Sequence, residues 1–88
     1  MANRTDEHLL YPKQLEARCG GAVKEATWRA WMRRKVNPMP HIRHGESERP
    51  HRTAYAEVAD AMLRFEQGVA TYGEVVETAG RCAMGARQ

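Results

Sequence analysis

Apolar residues recur at helical spacing in two stretches of the chain and alternate at strand spacing in one. Trp28, Trp31 and Met32 stand at i, i+3 and i+4, and Val23 and Val36 continue the same side. This spacing predicts an amphipathic helix over 23–36. The opposite side carries Lys24, Glu25, Arg29, Arg33 and Arg34, with Lys35 adding to the positive end, where charge of that sign suits the helix dipole. Asn37 can cap this helix and Pro38 cannot continue it. The second helical stretch runs over 54–67: Tyr55, Val58, Ala59, Met62 and Phe65 (or Leu63) form its apolar stripe, Thr53 is a fair N-cap, and Gly68 stops it.

Shorter signals fill the remainder. Pro12 suits a first helical turn, Leu15 and Cys19 share a face at i, i+4, and Gly20 and Gly21 end that helix in a turn. His41, Ile42 and Arg43 alternate as a half-exposed strand does. "HGESE" reads as a turn and "RPHR" as a return strand, kept short and at an edge by Pro50. After Gly68, a short helix over 74–79 is allowed, but Gly73, Gly80 and Gly85 make a frayed tail the expectation. The predicted organisation is an arm (1–8), a domain (9–67) and a tail (68–88). The fold class is mainly α with a small β-hairpin.

Composition changes this picture little; the placement of charge changes it more. The 88 residues, 42% hydrophobic and 28% charged, suit one globular domain with no room for a second core. No apolar run approaches the roughly 20 residues that span a bilayer, and "MANRTDEHLLYP" lacks the apolar region of a signal peptide, so a cytoplasmic protein without a membrane partner is expected. Cys19 and Cys82 are then expected as free thiols. The net charge is only +3, yet residues 13–52 hold ten Lys/Arg against four Asp/Glu. Both tryptophans lie inside this basic segment. Either it is a solvated face or it meets a polyanion, for which nucleic acid leads.

Chemistry narrows the choice. Cys19 or Cys82 could be paired with His41, His44 or His51 on paper, but no Gly-rich elbow or oxyanion-hole signature accompanies them, so no catalytic role is expected. His41 and His44 would point to opposite faces of a strand, a poor arrangement for a metal, and no phosphate-binding glycine motif is present, so no cofactor is expected either. With Trp28, Trp31 and Met32 turned inward, Arg29, Arg33 and Arg34 must face out or flank the buried stripe. Helix, glycine turn, basic helix, basic hairpin and closing helix form the order of a winged helix-turn-helix. In that arrangement the second helix enters a DNA major groove and the hairpin lies over an adjacent groove or the backbone. Lys24, Thr27, Arg29 and Arg33 are the candidates for bases and nearby phosphates. Arg34, Lys35, Arg43, Arg49 and Arg52 are the candidates for the backbone.

The same residues resemble a family. "LLYPKQLEARCG", "VKEATWRAWMRR", "PHIRHG" and "RPHRTAYAEVADAM" are similar, in that order, to the lead-in strand and first helix, recognition helix, first wing strand, and second wing strand with closing helix of excisionase-like (recombination directionality factor) winged-helix DNA-binding domains. The resemblance covers about residues 9–67 and includes Thr27, Trp28 and Trp31 in the recognition helix, Pro40 before the wing strand and Gly45 at the wing tip. It implies sequence-specific binding of double-stranded DNA by copies lying side by side, bending of that DNA, and direction of an integrase (recombinase) toward excision on a mobile element. The chain departs from the pattern at Lys24, where a Ser or Thr cap is usual, at Glu25 on the presumed DNA face, and at Glu46 and Glu48 in the wing. A small winged-helix regulator of transcription would use the same surface. A protein-interaction adaptor would instead act through "GEVVETAGRCAMGA" in the tail.

Overall fold

The computed structural model describes residues 9–44 and 51–86. In chain order these form β1 (Leu9–Leu10), α1 (Pro12–Arg18), α2 (Glu25–Arg33), β2 (Ile42–His44), β3 (His51–Tyr55), α3 (Ala56–Glu66) and α4 (Tyr72–Ala86). The described residues are thus mainly helical, with one small antiparallel sheet. The expected hairpin is part of a three-stranded sheet of order β1–β3–β2, because Leu9 and Leu10 pair with Tyr55 and Ala54 on the free edge of β3. The turn, with Gly45, Glu46, Glu48 and Pro50, lies outside the described residues, as do the arm 1–8 and Arg49.

Helix α1 starts on Pro12 at its first position, where no N–H is needed, and the Tyr11 N–H donates to the Gln14 side chain at 2.8 Å. It ends in a Schellman motif. The Gly20 N–H donates to the Ala17 carbonyl and the Gly21 N–H to the Glu16 carbonyl, with φ of 67° and 83° that only glycine adopts cheaply. The same pair of bonds closes α3, from Gly68 to Phe65 and from Val69 to Arg64. The expected glycine stops are therefore present at both places.

Helix α2 is shorter than the expected 23–36. Val23 sits half-buried in the preceding turn, and Arg34 is already extended, at φ −70° and ψ 155°. Val36 is 73% exposed and does not continue the apolar stripe. The chain instead doubles back, with Asn37 at φ 51° and the Met39 N–H donating to the Trp31 carbonyl at 2.9 Å. That reversal drives Met39 into the core, fully buried. Burying Met39 rather than Val36 ends the helix early, since one loop cannot do both.

Thr53 is not an N-cap. It is 4% exposed within β3, and the strand runs on to Tyr55, which caps α3 without a side-chain hydrogen bond. Pairing with β1 holds Tyr55 and Ala54 extended, so α3 starts two residues later than the periodicity predicts.

The tail is helix α4, not a frayed segment. Thr71 caps it, its hydroxyl accepting from the Glu74 N–H at 3.3 Å. Val75 is fully buried, and Ala79 and Cys82 continue its face against the core at i+4 and i+7. Gly73 and Gly80 each cost a helix about 1 kcal/mol relative to Ala. Burial of one face on α3 offsets that cost. Tyr72 adds a ring contact with Phe65 (centroids 5.5 Å apart) and donates its hydroxyl proton to the Pro38 carbonyl at 2.5 Å. The core therefore gathers Leu15, Trp28, Met32, Met39, Val58, Met62 and Val75 from every helix and from the α2–β2 loop.

Candidate nucleic-acid interface

Trp28 fixes the rotation of α2. It is 1% exposed, Met32 is buried beside it, and Trp31 is half-buried with its ring edge-on to Trp28 at 5.1 Å. At about 100° per residue, the arc facing away from this side passes through Arg29, Arg33, Ala26, Ala30 and Thr27. Ala26, Thr27, Ala30 and Arg33 all reach the surface. The centre of the arc is thus made of small side chains, which lets a helix backbone come close to an opposing surface. Long cationic side chains flank it.

Lys24 is the N-cap of α2 and supplies no side-chain cap bond. The cap comes from elsewhere: the Glu16 carboxylate of α1 accepts from the Glu25 N–H at 2.7 Å. This one bond satisfies an orphan donor of α2 and ties the two helices together across the glycine turn. It leaves the Lys24 side chain exposed and without an ion-pair partner among the described residues.

The cations differ in how they are held. Arg29 pairs with Glu25 one turn back: its Nε and Nη2 both donate to Glu25 Oε2, at 3.2 and 2.6 Å. Arg34 is turned away from the arc, donating Nε to the Asn37 carbonyl at 3.0 Å and pairing through Nη2 with Glu66 of α3. It works as a clamp on the loop after α2, with Nε and Nη2 engaged. Arg33 and Lys35 are at the surface and have no acidic partner among the described residues.

On the sheet, Arg43 of β2 stands directly opposite Arg52 of β3. Directly opposed like charges destabilise a strand pair. Neither has an acidic partner among the described residues, and Arg52 Nε is buried with no hydrogen-bond partner there. Arg49 lies outside the described residues. The His41 ring has Nδ1 2.9 Å from the Met39 carbonyl, which assigns its proton to that nitrogen in the neutral ring. Cys19 and Cys82 are free thiols. Burial, and then the neighbouring Glu57, raise the Cys82 thiol above the ordinary range, so it stays protonated at neutral pH and is a poor nucleophile.

Periodicity alone places Trp28, Arg33 and the Arg43–Arg52 ribbon, and misses the Glu25–Arg29 pair, the Arg34 clamp and Met39. The i, i+4 spacing of Glu25 and Arg29 is a readable signal for the first. Nothing in the local sequence marks the other two, which depend on contacts made across the fold. Among the described residues, no helix is long and apolar enough to cross a membrane. Comparisons with protein-family models, curated proteins and solved structures find no match to this chain.

Proposed function

We propose that this chain is a winged helix-turn-helix protein that binds double-stranded DNA sequence-specifically, with α2 as the recognition helix and β2–β3 as the wing. The observation that carries this reading is the burial of Trp28, which turns the Arg29–Arg33–Thr27 arc outward. The opposed Arg43 and Arg52 support it, because a phosphate bound between them would offset a repulsion that the described residues leave uncompensated. Thr27, Arg29 and Arg33 reach bases. Lys24, Lys35, Arg43 and Arg52 hold the backbone, joined by Arg49. Arg34, engaged by Glu66 and Asn37 through Nη2 and Nε, adds to the backbone contacts only through its outer donors. An excisionase-like architectural role beside an integrase is the form the family resemblance implies. Regulation of transcription would use the same surface, and an adjacent recombinase gene would favour excision.

The test is a selection from a random-sequence duplex library, followed by titration of the enriched duplex against salt. Neutralising about five phosphates gives a slope of about −4.5 in log K against log salt. Arg52→Ala weakens binding to all duplexes alike. No enrichment of any duplex, or a flat salt response, overturns the proposal.

A further inference from the structure

We infer that Glu25 is a specificity-determining positioning residue, which fixes the guanidinium of Arg29 so that its free edge reads a guanine. This rests on the DNA-binding reading above.

The geometry is that of a buttress. Arg29 Nε and Nη2 both donate to the single oxygen Glu25 Oε2, so the inner edge of the guanidinium is occupied. A guanidinium has five N–H donors in a rigid plane. Those on Nη1, and the second one on Nη2, remain at the outer end. Two parallel donors at that end match the O6 and N7 acceptors of guanine in the major groove. The arginine and glutamate side chains are 41% and 36% exposed, so the fork stands at the surface.

Glu25 is itself held. Its N–H is fixed by the Glu16 carboxylate, which anchors the first turn of α2 to α1. The chain Glu16, Glu25, Arg29 thus links the helix-turn-helix frame to one reading group. A carboxylate on a face meant for DNA otherwise works against phosphate. Here it is placed to set direction, and the cost falls on non-specific attraction. Two simpler roles exist for the pair: a helix-stabilising i, i+4 contact, or a charge that merely tempers binding. Both act equally on every DNA sequence, and that separates them from a buttress.

The experiment uses the full chain and the duplex enriched from the random library, with a scrambled duplex as comparison. Each guanine is replaced in turn by 7-deazaguanine, which removes only the N7 acceptor. The unaltered protein is expected to lose about 5- to 10-fold in affinity at one guanine. Arg29→Ala should abolish sensitivity at that guanine. Glu25→Ala should reduce it to below about twofold while affinity for the scrambled duplex stays level or rises. Glu25→Gln, which keeps the size and an acceptor oxygen, should fall between. Helix content by circular dichroism, unchanged in both Glu25 variants, shows that they fold. Equal gains on both duplexes with guanine sensitivity intact would leave Glu25 as a tempering charge and overturn the inference. So would an enriched duplex with no sensitive guanine. Failure to enrich any duplex instead removes the DNA-binding reading itself.

Discussion

Arg18, Arg64 and Arg81 each meet a carboxylate: Asp60, Glu74 and Glu77. Lys24, Arg33, Lys35, Arg43 and Arg52 meet none among the described residues, and two of them are set face to face across a strand pair. The first group surrounds α3 and α4, and the second belongs to α2, the segment after it and the ribbon. The contrast explains how a chain of net charge +3 can present a much stronger local field. Carboxylates of α3 and α4 neutralise the arginines around those helices, and most cations of α2, the segment after it and the ribbon are left unpaired among the described residues. Arg29 and Arg34 stand between the groups: Arg29 pairs with Glu25 of its own helix in a way that leaves part of its fork open, and Arg34 reaches from the segment after α2 to Glu66 of α3.

The largest way to break this contrast is to remove what orients it. Trp28→Ala empties a fully buried site between α2 and the rest of the core and should cost about 3–5 kcal/mol. A domain of this size has roughly 5–15 kcal/mol in all, so the urea midpoint should fall steeply. Trp28→Phe, which keeps much of the volume, should retain the fold. A loss below about 1 kcal/mol for the alanine variant would mean that Trp28 does not fix the rotation of α2, and the separation of faces would go with it.

Much of this contrast is legible in the sequence, because it follows from periodicity. Trp28, Met32, Val58, Ala59 and Met62 repeat at helical spacing and are buried, and Gly20, Gly21 and Gly68 stop helices where they stand in the chain. The misreadings share one cause: a distant contact overrides a local preference. Thr53 has the chemistry of a cap, yet pairing of β1 with β3 holds its neighbours extended. Val36 has the right spacing for α2, yet Met39 wins the core position through a chain reversal. The glycines of the tail argue against a helix, and Val75, Ala79 and Cys82 outweigh them by packing on α3. That last case had a readable signal in "TYGE", where Thr71 and Glu74 stand at capping-box spacing ahead of an apolar pair. The pairing of Arg34 with Glu66, 32 residues later, had none.

A smaller perturbation tests whether the α3–α4 side holds the loop that leads into the ribbon. Tyr72→Phe keeps the ring contact with Phe65 and deletes only the hydroxyl that donates to the Pro38 carbonyl. The expected loss is about 0.5–1.5 kcal/mol in a thermal or urea melt. Amide exchange should quicken at Met39, whose N–H bond to Trp31 closes the same reversal. Loss of stability with no change at Met39 would mean that the hydroxyl serves α4 alone.

The finest test sets one cation from each group against the other, and the two should move in opposite directions. Arg43→Thr keeps strand propensity and relieves the like-charge pair with Arg52, so stability should rise by roughly 0.2–1 kcal/mol. If the proposed DNA binding holds, the same change removes a phosphate contact, and the salt slope of binding should flatten by about 0.9. Arg64→Ala removes an exposed ion pair with Glu74, 3.4 Å apart, and should cost at most a few tenths of a kcal/mol, as exposed pairs do. Its salt slope should not change. A protein built only to be stable would have no reason to keep Arg43 opposite Arg52. If Arg43→Thr lowers stability and leaves the salt slope untouched, the ribbon is a structural element whose charges are offset by groups other than DNA.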